Sequence, residues 1–235
     1  MEPKANIVAN LDALRGRIAS AAEKSGRSAN DITLVAVTKY VPADVAQLLV
    51  DCGCYHLGES RPQSLWQKHQ AIDESTIHWH LIGPLQTNKA RRTVGIDNLT
   101  LIHSIDRLGL LDRLESESER LNKTLDVLLQ VRISPDPEKQ GFGVSELEFA
   151  LTHCLNQKHL RLRGLMGMAS RTTDQSQVQR EFDQLRTLKD QHADRLGCQS
   201  QLQELSMGMS HDFELAIASG ATIVRIGSLL FTGLT

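Results

Sequence analysis

Residues 33–40 read TLVAVTKY, an apolar run that ends in a lysine, and the fold of the chain turns on how that run is taken. Leu34, Val35, Ala36 and Val37 follow one another without a polar break. That pattern predicts a parallel strand buried on both faces, not the alternation of a half-exposed one. The first charge, Lys39, then falls where the strand emerges at its carboxyl end, the side on which α/β folds keep their chemistry. Taken alone, the octapeptide is read more simply: a lysine in that place is the first solvated residue after a core strand.

Seven further runs of the same kind follow: YHLGES (55–60), IHWHLIG (77–83), LTLIHSID (99–106), LDVLLQVRI (125–133), LRLRGLMGM (160–168), LQELSMGM (202–209) and TIVRIGS (222–228). Amphipathic or proline-opened helical segments separate them. Pro42 opens one through Val45, Leu48 and Leu49; a second runs from Pro62 to about Ile72, and a short one begins near Thr87. Leu108, Leu111, Leu114 and Leu121 form the next stripe. Helices are expected from Ser145 to about Asn156, from about Thr173 to Arg195 with Val178, Phe182, Leu185 and Leu188 inward, and from about His211 to Ser219, closed by Gly220. Ahead of the first strand, Ile7, Leu11, Leu14 and Ile18 recur at spacings of four, three and four, an extra amino-terminal helix within residues 1–30. Eight strand signals alternating with helices, without a long linker or a shift in composition, predict an α/β fold: a single (β/α)8 TIM-type barrel domain over residues 1–235. An open doubly wound sheet with overcounted strands is the rival. The loop SPDPEKQGFG (134–143) is rich in proline and glycine.

Charge is nearly balanced, 26 basic residues against 28 acidic with a formal net of −2, and aromatics make up 4%. No extended basic face is evident, so nucleic acid is not an expected partner. Cys52, Cys54, Cys154 and Cys198 have neither a CxxC pair nor the spacing of a secreted disulfide framework, which suits free thiols in a reducing compartment. The amino terminus lacks a signal-type apolar core and a run of 18 apolar residues, so a cytoplasmic protein without membrane attachment is expected.

In a barrel the strand ends can be read as a list of candidate site residues. They are Lys39; Gly58, Glu59 and Ser60; His80 and Gly83; Ser206, Gly208 and Ser210; and Arg225, Gly227 and Ser228. Glycine, serine and an arginine after strands seven and eight are what a barrel phosphate site requires, because backbone N–H groups must approach an anion closely. No Walker lysine motif or dinucleotide GxGxxG competes with it. A lysine at one rim and a phosphate cradle at the other suggest pyridoxal phosphate. His78 and His80 share a strand face, where packing or a contact with a cofactor edge is the simpler reading and metal binding lacks a third ligand. Glu59 is read either as an acid or base or, more simply, as the partner of a nearby cation. Asp212 is read as a helix cap.

AVTKY, HLIGPLQTNK, the EKQGFG loop and SMGMSHDFELAIASGATIVRIG, in that order, closely resemble the pyridoxal-phosphate homeostasis protein family, a group related to the amino-terminal domain of alanine racemase. The resemblance spans roughly residues 7–231. It implies a cofactor-binding, non-catalytic protein of vitamin B6 homeostasis, in which Lys39 carries pyridoxal 5′-phosphate as a Schiff base. Arg225 would face the pyridine nitrogen, and Ser210 with the backbone of Gly227 and Ser228 would hold the phosphate. Ser206, Met207 and Gly208 would line the pocket. Members usually carry asparagine where this chain has Ser60, which leaves one contact to the cofactor hydroxyl open. Partners implied are pyridoxal phosphate itself and apo-enzymes that use it; a monomer is expected. The alternative is an amino-acid racemase of the same fold. Racemisation needs a base on each face of the substrate Cα, and neither Tyr40 nor Tyr55 is obviously placed opposite Lys39.

Overall fold

Eight short parallel strands close on themselves in sequence order to form a barrel. They are β1 Thr33–Val37, β2 His56–Glu59, β3 His78–Leu81, β4 Leu99–Ile105, β5 Leu125–Gln130, β6 Leu160–Met166, β7 Glu204–Ser206 and β8 Ile223–Ile226. Closure is made by β1, whose Thr33 to Ala36 run in register with Ile223 to Ile226 of β8. A computed structural model of the protein describes residues 3–72, 74–136 and 139–234. Pro137 and Glu138 of the loop over 134–143 lie outside the described residues.

The helices follow the strands as expected: α1 Pro3–Lys24, α2 Ala43–Asp51, α3 Pro62–Ala71, α4 Ala90–Val94, α5 Leu108–Arg120, α6 Leu147–Leu155, α7 Gln175–Leu196 and α8 Phe213–Ala218. Ile7, Leu11, Leu14 and Ile18 of α1 are all buried, so the extra helix docks through the stripe its spacing defines. One member of a predicted stripe does not pack: Leu121 stands past the end of α5 and is exposed, and Leu110 is buried with Leu111 and Leu114. Among the described residues no helix is long and apolar enough to cross a membrane.

Two apolar clusters follow from the alternation of side chains along each strand. A small one, Val35, Leu101, Leu128, Met166 and Ile223, fills part of the barrel interior. The larger one, including Ala36, Leu57, Trp79, Leu81, Ile102, Leu205 and Val224, lies between the strands and the helices. Most strands are shorter than the apolar runs that predict them, because the run includes the chain's exit into the loop. At the end of β1, Thr38 still donates its N–H to Gly58 O at 3.0 Å, while its C=O accepts from the Lys68 ammonium at 2.6 Å instead of extending the ladder. After β7 the chain turns at Gly208, which has φ +90°.

Candidate cofactor site

Alternation along β1 puts Val35 and Val37 on the inward side, and Lys39 follows in the turn two residues past the strand's carboxyl end. Its side chain is exposed, with Nζ 4.7 Å from the centre of the Tyr40 ring. The residue before it is held from behind. Thr38 is fully buried; its Oγ1 donates to Glu59 Oε1 at 2.6 Å, and the same carboxylate oxygen pairs with the Lys68 ammonium of α3. Glu59 thus partners a cation, the simpler of the two readings of its sequence position. The lysine backbone is anchored by a buried ion pair that faces the helices.

On the neighbouring strand β8, in register with Val35, Arg225 is 4% exposed. Its Nη1 donates to Ser206 Oγ at 2.6 Å and its Nη2 to the carbonyl of Gly167 at 3.1 Å. Among the described residues no carboxylate bonds to it. Burial brings its pKa down to about 10, and the charge of Asp212 partly offsets that, so the group keeps its proton at neutral pH and acts as a donor. A buried cation without an ion-pair partner leaves room for an electron-rich acceptor brought from outside.

Next to it the loops after β7 and β8 meet. Gly227 N–H reaches Ser210 Oγ at 3.4 Å, and Ser228 opens a 3₁₀ turn, Ser228–Phe231, whose first amides have no intrahelical partner. A Cβ on Gly208 would stand 2.6 Å from Cβ of Ala216 and 3.0 Å from Cα of Phe213, so only glycine lets the start of α8 lie this close to the cradle. Asp212 is not the helix cap the sequence suggests: it makes no side-chain cap bond to α8. Its Oδ1 accepts the N–H of Met209 at 2.6 Å and fixes the loop itself. The φ of −139° and ψ of 6° at Asp212 depart from the extended geometry that aims a capping oxygen at the helix amides.

Of the other predicted residues, Ser60 is half-buried at the end of β2, where the backbone of Gly83 packs against it: a Cβ on Gly83 would lie 2.2 Å from Ser60 O. Met207 is fully buried in the larger apolar cluster. His80 is buried inside the barrel and bonded to His56 and His103, not to the rim. Among the described residues no group of three or more His, Cys, Asp or Glu side chains is placed to hold a metal ion. The structure therefore brings Arg225 together with Ser206, and Gly227 with Ser210; no hydrogen bond joins Lys39 to either pair.

Sequence reasoning missed Thr38, Lys68, His56 and His103. The signal for His103 was present: a polar residue inside the apolar run LTLIHSI belongs to a strand buried on both faces, where an unpaired imidazole is costly. Lys68 had no such signal, because a lysine in the last turn of a helix is ordinarily solvated.

An amine after β1, a buried guanidinium donor on the adjacent β8, and hydroxyls with turn amides beside it suit a small ligand bearing a carbonyl, a ring nitrogen and a phosphate. Fold and site define a (β/α)8 barrel of the alanine racemase type, and residues 9–234 match the family described as alanine racemase, N-terminal domain. The chain belongs to the pyridoxal phosphate homeostasis protein family. It is 36% identical to the pyridoxal phosphate homeostasis protein of Aquifex aeolicus over 96% of this chain and 97% of that one. It is 35% identical to that of Escherichia coli K12 over 96% of each. PipY of Synechococcus elongatus PCC7942, whose structure has pyridoxal phosphate bound, superposes with a TM-score of 0.84 at 32% identity, covering 96% of this chain and 99% of PipY. The alanine racemase of Clostridium difficile 630 shares the fold, with a TM-score of 0.76 at 15% identity over 97% of this chain and 59% of the racemase.

Proposed function

We propose that the protein holds pyridoxal 5′-phosphate at the barrel mouth through a Schiff-base linkage to Lys39, and serves cytoplasmic vitamin B6 homeostasis as a monomeric carrier that supplies apo-enzymes without turnover of its own. The observation that carries this reading is Arg225, a buried cation with no carboxylate among the described residues bonded to it, on β8 beside the strand that leads to Lys39. When bound, pyridoxal phosphate supplies an aldehyde electrophile and an electron-withdrawing ring.

The chain's own residues do the rest. Lys39 provides the amine. Arg225 donates a hydrogen bond to the ring nitrogen and keeps its proton, which leaves the ring a weak electron sink, suited to storage more than to carbanion chemistry. Ser206 and Gly167 orient Arg225, and Ser210, Gly227 and Ser228 hold the phosphate. Gly208 shapes the wall of the cradle and Ser60 lies toward the ring edge, while Met207 and His80 are buried behind the site. Tyr40 is 83% exposed and shares a rim with Lys39, while Tyr55 precedes β2 at the amino-end face. Neither supplies a base on the face opposite the lysine, as racemisation requires.

The test is an absorbance titration of the purified protein with pyridoxal phosphate, run beside an alanine racemisation assay. A saturable visible band in the wild type, missing in Lys39→Ala, with alanine configuration unchanged, is the expected outcome. Turnover that depends on Lys39 would replace the carrier with an enzyme.

A further inference from the structure

Inside the barrel, where α/β barrels stack aliphatic side chains, five polar groups join into one hydrogen-bonded chain. His56 Nδ1 lies 3.0 Å from His80 Nε2, and His80 Nδ1 lies 2.9 Å from His103 Nε2. His103 Nδ1 lies 2.8 Å from Ser206 Oγ, which accepts from Arg225 Nη1 at 2.6 Å. His80, His103 and Ser206 are at most 2% exposed. His56 opens β2 beside His78, the exposed first residue of β3, with the two rings stacked 4.6 Å apart at the amino-end face. The chain therefore runs from solvent at one end of the barrel to the guanidinium at the other.

We propose that His56, His80, His103 and Ser206 form a proton relay through the barrel, which sets the hydrogen on Ser206 beside Arg225 from the far face. A neutral imidazole has one N–H and one bare nitrogen, so the chain has two self-consistent polarities. In the first, Ser206 O–H donates to His103 Nδ1, His103 Nε2–H to His80 Nδ1, and His80 Nε2–H to His56 Nδ1, with the outer Nε2–H of His56 facing water. In the second, every bond is reversed: His103 Nδ1–H donates to Ser206, whose own hydrogen is free to turn into the mouth. Passage from first to second takes a proton onto Ser206 Oγ from the mouth, moves one proton along each link, and releases one from His56 Nε2 to water. The reverse passage delivers a proton to the mouth. Atoms and charge balance without a co-reactant.

The surroundings favour neutral rings throughout. Facing them are His56 from β2, His78 from β3, Ser206 from β7 and Arg225 from β8, and Asp212 acts on Arg225 from the loop after β7. Burial holds His80 and His103 well below the usual histidine value, and neighbouring histidines, with Arg225 beside His103, push in the same direction. A cationic His103 next to Arg225 would place two buried positive charges side by side. Protons thus pass as shifts of tautomer, and the relay acts on Arg225 through Ser206, a positioning role. Its link to a cofactor rests on the function proposed above; the relay itself does not.

The test is NMR of full-length protein labelled with nitrogen-15 histidine, with and without added pyridoxal phosphate. The expected result is neutral His80 and His103 rings of one shared polarity. In His56→Phe and in His56→Gln, solvent exchange of the His103 ring proton should slow about tenfold or more, equivalent to about 1.4 kcal/mol of barrier. His78→Phe, outside the hydrogen-bonded chain, should leave it unchanged. Unaltered His103 exchange in both His56 variants, with melting curves showing folded protein, would overturn the relay. Exchange that depends on His56 in a protein that forms no covalent linkage with pyridoxal phosphate would keep the relay and sink the carrier reading instead.

Discussion

Thr38 sits between the lysine at the mouth and a carboxylate that solvent does not reach, and the stability of that arrangement rests on a pair of charges. Glu59 and Lys68 are 0% and 7% exposed, and Glu59 Oε2 is buried without a hydrogen-bond partner. Breaking such a pair from one side leaves the other charge uncompensated, which costs about 3–5 kcal/mol, whereas replacing both with apolar groups is often near neutral. Glu59→Leu is therefore expected to lower stability by about that amount in urea unfolding, and Glu59→Leu with Lys68→Met to recover most of it; additive losses in the double-mutant cycle would contradict the pairing. The interior histidines make a second prediction. Unfolded, each titrates near about 6.5, while in the native protein burial holds His56 at about 4 and the other two well below their usual value. Between those values the unfolded chain binds more protons, so stability rises with pH and is lost as pH falls from about 6.5 toward about 4. Each histidine adds up to about 1.4 kcal/mol per pH unit to the slope, and His56→Phe should flatten it; urea midpoints measured between pH 7.5 and pH 5 read this directly. The positions of Lys39 just past β1 and of Arg225 inside β8 were legible in the sequence, because a charge in or just after an apolar strand run has few places to go. The groups behind them were not, since the ring of His103 reaches Ser206 and the ammonium of Lys68 reaches Thr38 only once distant segments have packed together.

At the scale of elements, the loops after β7 and β8 do the positioning. Gly208 is the pivot: its φ is +90°, and a Cβ there would lie 2.6 Å from Cβ of Ala216, which leaves no room for a side chain. Gly208→Ala is expected to cost about 1–3 kcal/mol as an overpacked site, and to weaken pyridoxal phosphate binding more than it weakens the fold, because α8 and the loop to Ser210 must shift together. Equal affinity in the two proteins at a temperature where both are folded would show that this loop does not shape the phosphate cradle. Strand number and order were legible from the alternation of apolar runs with helical stripes. Strand ends were less so: LQELSMGM yields only Glu204–Ser206 as β7, because the turn at Gly208 ends it, and a run of hydropathy carries no record of φ.

For the molecule as a whole, closure decides what the side chains can do. Residues 56, 80, 103, 206 and 225 come from five strands and form one line only because β8 returns to β1 and the interior is shared. Register around the barrel is a property of all eight pairings at once, so a single chain of letters shows the polar residues without showing that they touch. The proposed site needs Lys39, after β1, and Arg225, on the adjacent β8, at one mouth, and chemical trapping tests that most directly. The protein is mixed with pyridoxal phosphate, reduced with borohydride and mapped by peptide mass spectrometry. The expected result is the pyridoxyl mass on Lys39, near one label per chain, and none at that peptide in Lys39→Ala; labels scattered over surface lysines, or a full label on another residue in the wild type, would contradict a site at Lys39.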